Sequence, residues 1–484
     1  MEKTLPRLLK PEGIKLDPKD LAAGRYGTHE MAQIWGPEKT FEYSLHVQAQ
    51  AAVTLSNMHP EIIPPDAAQE ILAKANLQHI NPDRIRELEE KTGHDVIAIN
   101  TALEEVLSEA ARPHVNKTRT SADTTQTARA LQLRDASDVI IDSLENLRDI
   151  VLEKAVEWRD VPHMDVTHLY DAMPTVAGRP FVHYAEILSE NAGLLTVFKN
   201  LLKGKWSDAT GNHHGAKTLG IDGIALEQQY CEDLDLERMT ASAQVPDLER
   251  EADLVFALAR TSETLNNLAK YIAWGRSDDV NVFVNASPQK KKGSSAMPHK
   301  DAKNGNPTVE EQVMSIRNYM HGWMITALNN CEFPYARNLA ASANSRIQFE
   351  DGFKFLDHGI RRLTNTLYWL GLNKERCEER VLRSYGAVTS AQVMTYLTDP
   401  RFTERPMARS EAHDLAAKIA TEAWTSKRQF RDIALQHEEI TSRLPEETIR
   451  KITDPLQYIG ESQRIIDSVV EKYYKTEAKK LFLE

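Results

Sequence analysis

The chain lacks the features that mark several large protein classes. Its 484 residues include only three cysteines, Cys231, Cys331 and Cys377. They are odd in number and far apart, so no disulfide framework is implied, and no pair has zinc-ligand spacing. There is no run of about 18 apolar residues to span a membrane. The opening MEKTLPRLLK has no apolar signal-peptide core, so a reducing cytoplasm is the expected location. Gly and Pro, 21 of each, are too few for low-complexity disorder. Excess positive charge is missing too: 59 basic residues against 71 acidic leave a net charge of −12. A large nucleic-acid surface needs a positive field and is disfavoured, whereas a local basic pocket is not. No Gly-rich nucleotide fingerprint and no cluster of metal-ligand residues stands out, so neither an organic cofactor nor a metal is expected. The adjacent His213 and His214 need not converge and are assigned to a loop. β-branched alternation is scarce, and VNVFV at 280–284 is the one good strand candidate.

What the chain does have is helical patterning, over a length that implies two to four domains. Residues 1–40 are irregular and Pro-rich, and a helix is expected through FEYSLHVQAQAAVTLSNM, 41–58. After Pro64-Pro65 another begins at DAAQEILAKA. In 94–111, Val96, Ile99, Leu103, Val106 and Leu107 share one helical face, and Pro113 ends it. From Thr120 to Asp160 the chain contains neither Gly nor Pro, and apolar residues recur at spacings of three and four. A helix approaching ~60 Å is predicted there, and one that long requires a bundle. Stretches 247–274, 309–330 and 349–372 repeat the pattern, the last tolerating three glycines. The expected fold is all-α, in three domains: an N-terminal helical domain over 1–118, a central bundle of long helices over 119–372, and a C-terminal helical domain over 373–484. Long helices with apolar stripes pair across subunits, so an oligomer is expected.

One segment breaks the helical acidic pattern. Between the second and third long helices, residues 290–307 read KKKGSSAMPHKDAKNGNP, with five lysines and a single acid, Asp301. Gly293 permits unusual backbone angles, Ser294 and Ser295 offer hydroxyls and amides, and Lys300 offers a positive charge. By composition this loop, about 285–307, is either a solvated linker or an anion-binding element.

The order Gly-Ser-Ser-x-Met-Pro-x-Lys resembles the signature loop of the aspartase/fumarase superfamily, and Ser-Ala-Met-Pro-His-Lys is most similar to its adenylosuccinate lyase family. Other stretches resemble that family in the same order along nearly the whole chain. They are GRYGTHEMAQIW (24–35), ELEEKTGHDVIA (87–98), TSADTTQTA (120–128), THLYDAMPTVAG (167–178), YARNLAASANSRI (335–347), and ITSRLPEETI and DPLQYIGES near the C-terminus. The resemblance implies the three-domain fumarase/aspartase-like fold. It also implies β-elimination of fumarate from a succinylated purine nucleotide or its ribotide precursor, in a homotetramer whose sites draw on three subunits.

By the same resemblance Ser294 is the base, His168 the acid, Glu311 the partner of that histidine, and His94 a second active-site histidine. By spacing alone Glu310 is nearly as good as Glu311. Thr120, Ser121 and Gln244 match positions that hold the succinyl carboxylates. Arg25, Tyr26, Arg337, Ser342 and Arg346 match the phosphate site, and arginine forks suit phosphate oxygens. Ser295, Met297, Lys300 and Asn306 complete the substrate set. The chemistry fits these residue types. Removing a proton beside a carboxylate needs a strong base, donors for the growing charge, and an acid for the departing nitrogen.

The chain departs from the family in several places. Lys300 is followed by DAKNGNP where Lys-Arg-Asn-Pro is usual, an insertion of about four residues. Either Asn304 or Asn306 takes the place of the usual asparagine. Asn116 occupies a common histidine position, and Asp165-Val166 replaces a Gly-Arg. Three readings stay open from sequence: adenylosuccinate cleavage, another superfamily chemistry of the argininosuccinate or carboxymuconate type, and a helical scaffold without catalysis.

Overall fold

The Gly- and Pro-free stretch forms one helix, Ser121–Glu157, of 37 residues. At ~1.5 Å per residue it runs ~55 Å. Its first turn is closed by Asp123, whose carboxylate accepts the Thr120 N–H at 2.8 Å, as the third helical residue does in a capping box. The structure, a computed structural model, describes residues 26–246, 248–332 and 338–473. The other long helices are Pro37–Met58, Arg179–Asn200, Glu249–Gly275, Thr308–Asn330 and Ser342–Tyr368.

The boundaries differ from expectation for local reasons. Within the described part of 1–40, His29–Ala32 makes a helical turn and Pro37 starts the next helix, a position where its missing N–H costs nothing. The helix expected over 94–111 stops at Val106. Glu70 takes both the N–H and the hydroxyl of Ser108, at 2.8 and 2.6 Å, and draws the chain off the helical path. The helix placed at 349–372 begins earlier, at Ser342, and ends at Tyr368. Leu370–Leu372 then pairs antiparallel with Phe283–Asn285, so the strand expected at 280–284 is shifted along the chain.

A β-hairpin, β1 (Pro162–Thr167) with β2 (Tyr170–Val176), was not expected. Its two-residue turn is His168-Leu169, both left-handed with φ of 54° and 66°. That geometry favours Asn-Gly, so the sequence carried no turn signal. Asp171 on β2 anchors the hairpin: it accepts from Arg380 at 3.2 Å and from Arg383 at 2.6 and 2.7 Å.

The chain separates into two compact units. The first gathers the residues up to Asn146, with Glu190–Asn267 and Glu311–Leu363; the second gathers Leu147–Ser189, Leu268–Glu310 and the residues from Thr364 onward. In the first unit Trp35 stacks on Phe353, with centroids 5.7 Å apart. Fully buried Asp357 accepts from Thr28 and Ser143, both at 2.5 Å, and pairs with Arg361. In the second unit Trp158, Phe181 and Phe283 are fully buried and pack ring against ring, with Phe181–Trp158 centroids 5.2 Å apart. A separate C-terminal core forms around Val393, Leu397, Ile419 and Phe430.

One tolerated glycine, Gly352, has a packing cause. A Cβ on Gly352 would lie 2.1 Å from the Trp323 ring, so only hydrogen lets these helices approach. Gly352→Ala is expected to cost about 1–3 kcal/mol as overpacking. Gly322→Ala, with nothing within 4 Å, is expected to be neutral or to stabilise. Urea midpoints of the two variants check the contrast, and a Gly352→Ala midpoint at or above wild type would contradict it. His163 on β1 provides a pH test. Burial, with the Arg380 charge beside it, pushes its imidazole down to about 4. The unfolded chain binds that proton below about 6.5, so it holds more protons between those values and stability falls as pH is lowered through that window. For this group the loss between pH 7 and 5 is about 2 kcal/mol. His163→Gln should therefore lose about that much less than wild type over the same interval; equal losses would remove His163 from the acid response.

Candidate active site

In the second unit, Ser294 is half-buried within the loop. Its Oγ accepts backbone N–H bonds from Ala296 at 3.2 Å and Met297 at 3.1 Å. Two amides therefore face the oxygen on which negative charge would sit, a small anion-binding nest. Ser295 and Met297 are exposed and Lys300 is half-buried, within or beside the short 3₁₀ turn Pro298–Lys303. Asn306 donates to the Gly293 carbonyl at 2.6 Å, one peptide before Ser294. Asn304 instead is buried, left-handed with φ of 54°, and ties the loop base together through Lys291 N–H and the Ser287 carbonyl. Of the two asparagines, Asn306 stands beside the serine.

His168 is exposed at the tip of the β1–β2 hairpin, flanked by exposed Leu169 and Tyr170. Glu310 is fully buried in an ion pair with Arg276 at 2.7 Å. Glu311, in the first turn of Thr308–Asn330, is exposed. The pairing separates the two glutamates that sequence left open: Glu310 is committed to Arg276.

The first unit brings other predicted residues into two groups. His94 is the N-cap residue of Asp95–Val106, its Nδ1 3.3 Å from the Asp95 carboxylate. Arg346 donates to the same carboxylate at 2.8 Å. Burial works against ionisation of Asp95, but the bonds from Arg346 and the Val96 N–H outweigh it and hold the carboxyl below its usual range. Ser342 opens the helix that carries Arg346, one turn away on the same face. Arg346 and Asp95 also line a cavity of about 310 Å³.

The second group lies at the start of the long helix. Thr120 and Ser121 are half-buried there. Beneath them Asp123 pairs with fully buried Lys205 at 2.5 Å and accepts the Ser207 N–H at 3.2 Å. The Ser207 hydroxyl in turn meets Ser242 at 2.9 Å, which brings the segment carrying Gln244 to the same helix end. Asn116, the departure from the common histidine, is left-handed with φ of 51°, and its side chain lies 3.1 Å from Gln48. Asparagine tolerates that backbone, so the residue fits the turn. Tyr26 packs edge-on against Phe355 and His358. Arg25 and Arg337 lie outside the described residues.

Sequence reasoning missed Lys205, which carried no signal, and the Asp171 anchor, formed across more than two hundred residues. His213 and His214 diverge, one toward Glu227 at 3.6 Å and the other toward Asp208 at 3.4 Å. Among the described residues no group of three or more His, Cys, Asp or Glu could hold a metal ion, and no helix is long and apolar enough to cross a membrane.

Residues 24–318 match the family described as Lyase, and residues 386–469 match the family described as Adenylosuccinate lyase C-terminus. The chain is 30% identical to the adenylosuccinate lyase of Methanocaldococcus jannaschii, over 92% of this chain and 94% of that one. It is 30% identical to that of Methanothermobacter thermautotrophicus, over 93% and 98%. Its fold is similar to a fumarate lyase from Mesorhizobium sp. BNC1, with a TM-score of 0.79, 21% identity and coverage of 93% and 99%. With its family matches and its 30% identity to relatives along almost their full length, the chain belongs to the adenylosuccinate lyase family of the aspartase/fumarase superfamily.

Proposed function

We propose that this lyase eliminates fumarate from succinyl-AMP, leaving AMP, and from the succinylated aminoimidazole carboxamide ribotide, in purine nucleotide synthesis. The observation that carries the reading is the pair of amide donors on Ser294 Oγ, in the loop whose residues match the family signature. A serine hydroxyl is a poor base at neutral pH. Backbone N–H groups stabilise its anion without needing to reorganise, and Lys300 adds charge to the same loop.

Ser294 takes the proton from the carbon beside a carboxylate. The electron pair passes into that carboxylate, the carbon–nitrogen bond breaks, and His168 protonates the departing nitrogen. Glu311 sets the tautomer of His168, and His94 assists from the Asp95–Arg346 group. Thr120 and Ser121 bind the succinyl carboxylates with Gln244, because a helix start offers free N–H groups and positive dipole to an anion. Arg25, Tyr26, Arg337, Ser342 and Arg346 hold the phosphate; Ser295, Met297 and Asn306 line the loop side.

The active form is a homotetramer with shared sites, built from three domains per chain and located in the cytoplasm. Exposed Phe256, Ile325, Leu328 and Ile347 on long helices support subunit pairing. The exposed hairpin tip suits a histidine donated to a neighbouring subunit's site. The C-terminal match and the curated relatives favour this chemistry over argininosuccinate- or carboxymuconate-type reactions, and the prearranged serine disfavours an inert scaffold.

Ser294→Ala is expected to lower fumarate release by about 10²- to 10⁴-fold or more while succinyl-AMP still binds. Ultraviolet absorbance and equilibrium binding read the two effects. A near-normal rate in the variant would remove the serine from the base role, and a wild-type protein that releases no fumarate from either substrate would overturn the reading itself.

A further inference from the structure

Asp301 is the only acid in the lysine-rich loop, and it stands in the insertion that separates this chain from its family pattern. Its Oδ1 accepts the Gly293 N–H at 2.8 Å, and its Oδ2 pairs with Lys292 at 2.9 Å. The Gly293 carbonyl is held at the same time by Asn306. Both peptide groups of Gly293 are thus fixed by residues from the far side of the loop. The crossing is tight: a Cβ on Gly293 would lie 2.5 Å from Lys300 Cβ and 2.6 Å from its backbone.

The insertion is itself anchored. Asn304 straps residues 285–291, and Arg276 donates to the Gly305 carbonyl at 3.0 Å while it pairs with buried Glu310. The chain runs directly from the clamped glycine into Ser294, whose hydroxyl then meets the Ala296 and Met297 amides.

We propose that Asp301 is a positioning residue: its carboxylate holds the Lys292–Gly293 peptide while the Asn306 amide holds the Gly293–Ser294 peptide, and the two together aim the serine oxygen at its amide donors. The inference rests on the reading of Ser294 as the base. Its energetic logic is directional. An alkoxide is stabilised only while the amides point at it, and a displacement near 1 Å costs about 10²-fold in rate. The bonds from Gly293 and Lys292 hold the Asp301 carboxyl below its usual range, so the clamp stays ionised at neutral pH.

The test compares Asp301→Ala with Asp301→Asn in the full chain. The amide of Asn keeps an oxygen that can accept the Gly293 N–H. Asp301→Ala is expected to lower kcat by about 10- to 100-fold with KM changed less than about twofold, and to move the base limb of the kcat–pH profile upward. Asp301→Asn should recover most of the rate. Deuterium uptake over residues 290–298 should accelerate in the alanine variant and much less in the asparagine variant. A wild-type kcat and pH profile in Asp301→Ala would overturn the proposal, as would equal losses in both variants or a change confined to KM. The uptake comparison needs no turnover, so it separates the clamp from the functional reading: unchanged uptake sinks the clamp even if the protein cleaves some other substrate.

Discussion

A serine can take a proton from carbon only where its own anion is held by donors already in place. With Ser294 as the proposed base, two backbone N–H groups within 3.2 Å of its Oγ meet that requirement. They exist because the chain turns back immediately after the serine, and the turn is set by Gly293 behind it and the 3₁₀ segment ahead. Side-chain donors would have to be ordered at the moment of reaction, whereas amides of a braced loop need no such rearrangement. The buried Arg276–Glu310 pair and the Asn304 strap keep that loop base rigid.

The same economy recurs at the other predicted positions. Thr120 and Ser121 sit where a helix begins, over a buried Asp123–Lys205 pair that fixes the first turn. Replacing either buried partner leaves an uncompensated charge, so the helix start is rigid by electrostatic necessity. Arg346 is not loose on its helix but paired with Asp95, next to His94. Its guanidinium keeps donors to spare beyond that bond, which is how one arginine can both brace a wall and meet an anion.

Much of this was legible in the sequence because its causes are local. A stretch free of Gly and Pro with apolar residues three and four apart has little choice but helix, and Ser121–Glu157 follows. The ordered loop motif singles out Ser294 from sequence alone. Other features were illegible because their causes are distant or unsignalled. The hairpin bearing His168 turns on His-Leu, residues that ordinarily avoid left-handed angles, and is held by Arg380 and Arg383 from far along the chain. That Glu310 is bound up with Arg276 was not visible from spacing. Asp301 was visible as the odd acid among lysines, yet its role needed the loop's fold.

The central claim is that the oxygen of residue 294 stands next to the carbon that loses its proton. A crystal structure of the Ser294→Ala variant with succinyl-AMP bound tests it most directly. The account predicts the Cβ of residue 294 within about 4–5 Å of that carbon, close enough for a hydroxyl at near-attack range. A complex in which that carbon faces a different basic side chain, with residue 294 well beyond reach, would contradict it.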